Sequence, residues 1–141
     1  METLPQIEKV IAWYKSVKSD FNDVDTLLRT QRHLAGLLWD FAGEIGGLYK
    51  QKNRCEFQRK AEFERERQAA MKAGDTAAKA EIEARVKVEP LIESELSADA
   101  EYRAAWILYE AAQGVLSAMV QHISHLKAEK RAEAAGQGSQ G

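Results

Sequence analysis

Residues 7–49, IEKVIAWYKSVKSDFNDVDTLLRTQRHLAGLLWDFAGEIGGLY, decide the fold. Apolar or small side chains recur there three and four residues apart, at Ile7, Val10, Tyr14, Val17, Phe21, Val24, Leu28, Gln31, Ala35, Leu38, Ala42, Ile45 and Tyr49. Steps of three and four average one turn of an α-helix, so these positions line one helical face. A flank at Trp13, Leu27, Leu34, Phe41 and Leu48 makes that face wider than a two-stranded seam and implies helices that touch more than one neighbour. Thr3-Leu4-Pro5-Gln6 predicts the start of the first helix, with Thr as cap, Pro in the first turn and Gln as the reciprocal capping partner. Ser19, Asp20, Asn22 and Asp23 compete for backbone hydrogen bonds, so the stripe divides into helices at about 4–19 and 23–72.

Beyond Tyr49 the stripe thins into Lys50, Lys52, Arg54, Glu56, Arg59, Lys60, Glu62 and Glu64 through Arg67, a solvated stretch of strong helix formers. Ala73-Gly74-Asp75-Thr76 reverses the chain, Gly closing one helix and Asp or Thr opening the next. A third helix is expected at 76–89, with a kink or short break at Pro90, which lacks a donor and disfavours helical geometry at Glu89. Ser97 or Asp99 then caps a last helix over 98–133, whose stripe is Tyr102, Ala105, Tyr109, Ala112, Leu116, Met119, Ile123 and Leu126. Its segment 104–109 is apolar on all sides, which predicts deep burial of Trp106. Residues 134–141 are poor in bulky side chains and read as a disordered tail behind a single helical domain, 1–133.

Charge supplies a register. With the reversal at Gly74, residues facing each other on antiparallel helices have numbers summing to about 148. Residues 50–60 hold five bases and one acid, and the opposite 88–101 holds Glu89, Glu93, Glu95, Asp99 and Glu101 with no base. The same register sets the small Ala35 and Ala42 opposite the bulky side chains from Trp106 to Leu116, with Gly43 and Gly47 permitting close approach. The fold expected is all-α: a long antiparallel helical hairpin, coiled-coil-like, with an additional N-terminal helix and bundle-type packing.

No stretch approaches 18 uncharged apolar residues, and the first residues lack the layout of a signal peptide, so a soluble, cytoplasmic protein is expected. Twenty Lys and Arg against 22 Asp and Glu leave a net charge of −2, without the positive field of most nucleic-acid binders. Cys55 is the single cysteine and reads as a helix-surface thiol, distant from His33, His122 and His125. His122-Ile123-Ser124-His125 has the spacing of a paired-histidine metal site but no Glu-x-x-His partner, so both imidazoles are expected toward solvent. No catalytic residue, metal ligand or cofactor-binding residue is assigned.

Two surfaces remain. Lys50, Lys52, Arg54, Arg59 and Lys60, with Phe57 among them, are the candidate nucleic-acid contacts, although the acidic 88–101 is the favoured partner. Ile7, Val10, Ile11, Trp13, Tyr14 and Val17 form the candidate partner or self-association surface. The first helix either folds back as a third layer or meets another chain. Together with the wide flank, it leads to the expectation of a homo-oligomer, most simply a two-fold dimer.

Glu101-Tyr102-Arg103 through Leu108-Tyr109-Glu110, with Ile123-Ser124-His125-Leu126-Lys127, resembles small helical-hairpin proteins encoded by tailed bacteriophages, over about thirty residues of the C-terminal part. The resemblance implies a non-enzymatic accessory factor of DNA recombination or replication, or an inhibitor of a host nuclease or defence complex, acting by protein–protein contacts. A direct DNA-binding module using residues 50–60 is the alternative.

Overall fold

A computed structural model describes residues 2–17 and 20–139. The chain is all-α. Four helices follow in order: α1 (Thr3–Ser16), α2 (Val24–Lys72), α3 (Ala77–Lys87) and α4 (Glu89–Ser139). They make up two compact units, one from Met1–Glu44 with Ile107–Gly141, the other from Ile45–Trp106.

The first unit is a three-helix bundle of α1, the start of α2 and the end of α4. Ile7, Val10 and Ile11 of α1, Leu27, Leu34, Leu38 and Phe41 of α2, and Ala112, Met119, Ile123 and Leu126 of α4 are buried. Phe41 stacks on Tyr109, with ring centroids 6.4 Å apart. Trp13, Tyr14, Phe21 and Leu28 close over the end formed by Val24, Leu27, Ile123 and Leu126. Each large aliphatic or aromatic side chain so buried contributes about 1.5–3 kcal/mol, which lets three short stretches hold together without staples.

The buried face of α2 keeps Val24, Leu38 and Ile45 of the expected stripe and otherwise turns toward the flank beside it. Leu27, Leu34 and Phe41, assigned to the flank, are fully buried, whereas Ala35 and Ala42, assigned to the seam, are exposed. A third helix shifts the axis of the core toward the flank, and burial follows the largest side chains. Over the apolar half of α2 the buried series is therefore Val24, Leu27, Leu34, Leu37, Leu38, Phe41 and Ile45. Gly43 and Gly47 serve no close approach, since a Cβ at either meets nothing within 4 Å.

The second unit is a hairpin in which the rest of α2 runs antiparallel to α3 and the start of α4. Its core is small: Ile45, Cys55, Ala70, Ala80, Ala84, Val88, Ala98 and Ala105. Tyr49 packs on Tyr102 at 5.5 Å, Lys52 pairs with Asp99 at 3.4 Å, Arg59 pairs with Glu95, and Lys87 pairs with Glu66 at 3.2 Å. The partners' numbers total three to six above the expected 148, an offset of less than two helical turns, and the basic and acidic stretches do face each other.

Helix ends follow local chemistry. Asp23 caps α2, accepting the Thr26 backbone N–H at 3.1 Å and its hydroxyl at 2.7 Å, and these two bonds hold the Asp23 carboxyl below its ordinary value. At the other end Gly74 has φ +101°, its N–H reaching the Met71 carbonyl and that of Asp75 the Ala70 carbonyl, the paired bonds of a Schellman cap. Thr76 caps α3 by accepting the Lys79 N–H at 3.3 Å.

Four boundaries differ from expectation. Thr3 does not cap α1: it is the first helical residue, is buried, and donates its hydroxyl to Glu44 of α2, while Gln6 turns back to the Glu2 carbonyl. Pro90 ends nothing. The break falls at Val88, whose carbonyl accepts from both Leu91 and Ile92, and Pro90 lies in the first turn of α4, where a missing N–H goes unused. The last helix therefore begins at Glu89 rather than near residue 98. It also continues through 134–139, where alanine favours helix; residues 140 and 141 lie outside the described part. Ser16 ends α1 earlier than expected, Val17 being extended, and Ser19 lies outside the described residues.

Candidate functional site

Of the basic run, three members are occupied within the chain. Lys52 pairs with Asp99 and lies 5.2 Å from the centre of the Tyr102 ring, Arg59 forms a forked pair with Glu95, and Lys60 reaches Glu56 at 2.8 Å on the next turn. The Lys60 hydrogen bond holds the Glu56 carboxyl below its ordinary value. Lys50 and Arg54 are exposed and form no ion pair among the described residues. Two of the five bases, Lys52 and Arg59, thus turn the opposed charges of the sequence into ion pairs across the hairpin.

Cys55 is not a surface thiol. It is 8% exposed, accepts from Gln51 Nε2 at 3.8 Å, and borders a shallow cleft of about 400 Å³ that also includes Pro90, Ser94 and Ser97. Burial came from the helix that α4 lays across it, whose first turn begins nine residues earlier than expected. No histidine lies in this unit.

His122 and His125 diverge. His122 donates from Nε2 to the Phe21 carbonyl at 2.9 Å and meets the Tyr14 ring edge-on, while His125 points to Glu129 on its own helix at 3.0 Å. Among the described residues no three His, Cys, Asp or Glu side chains are grouped to hold a metal ion.

The proposed self-association surface is used by the chain itself. Ile7, Val10 and Ile11 are buried in the first unit, and Trp13, Tyr14 and Val17 are half-buried. The residues that α1 covers include the flank on which the dimer argument rested. Trp106, expected to be the most deeply buried aromatic, is 40% exposed, because Ala105 takes the inward position on that turn.

Sequence reasoning did not find the groove between α1 and α2. It has a volume of about 550 Å³ and is lined by one or two residues per turn from each helix: Gln6, Lys9, Val10 and Trp13 facing Thr26, Arg29, Thr30 and His33. The helical spacing of each set is visible in the sequence; that α1 lies against α2 at this register is not. The other surface feature is a set of large apolar side chains in water, above all Trp39 at 82% and Phe57 at 73%, with Ile82, Val86, Leu96 and Ile107 also exposed. Among the described residues no helix is long and apolar enough to cross a membrane.

No protein family, curated protein or solved structure matches the chain significantly.

Proposed function

We propose that this chain is a non-enzymatic accessory protein that acts through protein–protein contacts in the cytoplasm of a bacterial host, in DNA recombination or replication or as an inhibitor of a host nuclease or defence complex. The observation that carries the reading is the exposure of Trp39 and Phe57, together with Ile82 and Val86 on successive turns of α3, in a chain whose own core is already filled. Large apolar groups held on rigid helices are the usual anchors of protein interfaces, and aromatic side chains supply most of their binding energy. The likeness to phage helical-hairpin proteins supports the choice of setting.

The test is capture of partners by tagged full-length chain in extracts of infected and uninfected bacteria, with wild type compared against Trp39→Asp and Ile82→Asp/Val86→Asp. These sites are exposed, so helicity should be unchanged. The expected result is a protein of DNA metabolism or host defence that wild type retains and a variant loses. Identical retention by all three chains, or a turnover activity dependent on particular side chains, would overturn the reading.

Direct DNA binding would have to rest on Lys50 and Arg54, the two cations of the run left free of ion pairs. Two phosphate contacts give a weak and shallow salt dependence. A mobility shift abolished by Lys50→Glu/Arg54→Glu would favour that alternative.

A further inference from the structure

We propose that the groove between α1 and α2 is a binding site for a small organic anion carrying an aromatic ring. It lies wholly in the first unit and does not depend on the protein-contact reading.

Charge comes first. Lys9, Arg29 and His33 line the groove, and no carboxylate does. None of the three forms an ion pair among the described residues, and the only polar contact of Arg29 is a long one, 3.5 Å to the Thr26 hydroxyl. Asp23, whose carboxyl also feels the Arg29 charge, is hydrogen-bonded twice to Thr26 and is not part of the groove lining. The wall hydroxyls are also committed, Thr26 to Asp23 and Thr30 to the Thr26 carbonyl at 2.8 Å. What the groove offers a ligand is therefore cationic donors, two of them permanently charged, and these favour a carboxylate, sulfonate or phosphate.

Apolar surface defines the rest of the ligand. Val10 is the buried lining residue, and Trp13 is half-buried with its ring edge-on to Phe21 at 5.9 Å. A simple inorganic anion would leave this surface wet, and a neutral apolar molecule would strip water from the cations without replacing it. A ring beside Trp13 with an acidic group toward Lys9 and Arg29 satisfies both. The groove volume falls within the range of small-molecule sites, about 300–1,000 Å³.

The experiment titrates the full chain with phenyl phosphate, inorganic phosphate and benzyl alcohol, following the Trp13 indole N–H by two-dimensional NMR. The expected result is a saturable shift with phenyl phosphate, about tenfold tighter than with either fragment, and a loss of about tenfold in Lys9→Glu/Arg29→Glu. Both residues are exposed, and circular dichroism checks that helicity is kept; Lys9→Gln/Arg29→Gln replaces the pair if it is not. No saturation by about 10 mM, equal binding of inorganic phosphate, or equal affinity in the charge variants would overturn the proposal.

Discussion

At the scale of single residues, two aromatic positions and one glycine separate packing from exposure. Phe41 is fully buried against Tyr109, so Phe41→Ala should cost about 3–5 kcal/mol, a fall in melting temperature of roughly 10 °C or more. Trp106 has the larger side chain but is partly in water, and Trp106→Ala should cost less, about 1–2 kcal/mol. Thermal melts of the two variants rank them, and the reverse order would contradict the burial described. Gly74 differs in kind because its φ of +101° is unfavourable for any side chain with a Cβ. Gly74→Val should destabilise by about 1–2 kcal/mol through the cap alone, measured by urea unfolding, with the m-value unchanged.

At the scale of elements, α2 carries an unusual burden. Gly36, Gly43, Gly46 and Gly47 all lie inside it on exposed positions, and a Cβ at each would meet open space. A helical glycine with no packing reason leaves the folded state less stable than alanine would. Gly36→Ala/Gly43→Ala should therefore stabilise the protein by about 1–2 kcal/mol in urea titrations. The polar half of the same helix is held differently, by strong helix formers and by turn-to-turn pairs of Glu56 with Lys60, Glu62 with Arg65 and Glu64 with Arg67. Hydrogen bonds from these bases keep all three carboxyls below their ordinary value of 4.5. A carboxyl with a lowered folded pKa adds stability above its unfolded value and loses it as pH falls through the folded one. Melting temperature should therefore hold from neutral pH down to about pH 5 and then decline, and high salt at neutral pH should lower it slightly through screening.

At the scale of the whole molecule, the two units differ in what fills them. The first buries Ile7, Leu27, Leu34, Phe41 and Met119; the second buries Ile45 at its edge and otherwise mostly alanine, with Cys55 and Val88. Alanine lets helices approach closely but removes little apolar area from water, so the second unit should open at lower free energy. Hydrogen exchange should show amides of α3 and of residues 55–70 exchanging faster than those of 27–41. Equal protection along α2 would mean that the chain unfolds as one cooperative block. The same contrast bears on assembly. Ile7, Val10 and Ile11 are buried in their own unit, whereas Trp39, Phe57, Ile82 and Val86 stand in water.

Periodicity, turn chemistry and charge are local or one-dimensional properties, and they determined the all-α class, the Gly74 reversal, the α4 stripe from Tyr102 to Leu126 and the opposition of residues 50–60 to 88–101. Each depends on spacing along one chain or on two helices meeting with a known rise per residue. Tertiary structure alone decided whether Leu27 and Phe41 or Ala35 and Ala42 faced inward, because two neighbouring stripes on α2 were both apolar enough to be buried. The arrival of α1 against α2 settled that choice, covered the surface that read as a dimer seam and created the groove beside Lys9 and Arg29. The start of α4 at Glu89 and the burial of Cys55 were missed for a related reason: a proline in a first turn and a thiol beneath a longer helix look the same in sequence as a helix breaker and an exposed thiol. Where a helix begins and what crosses over it are set by packing between elements, which no window along the chain contains.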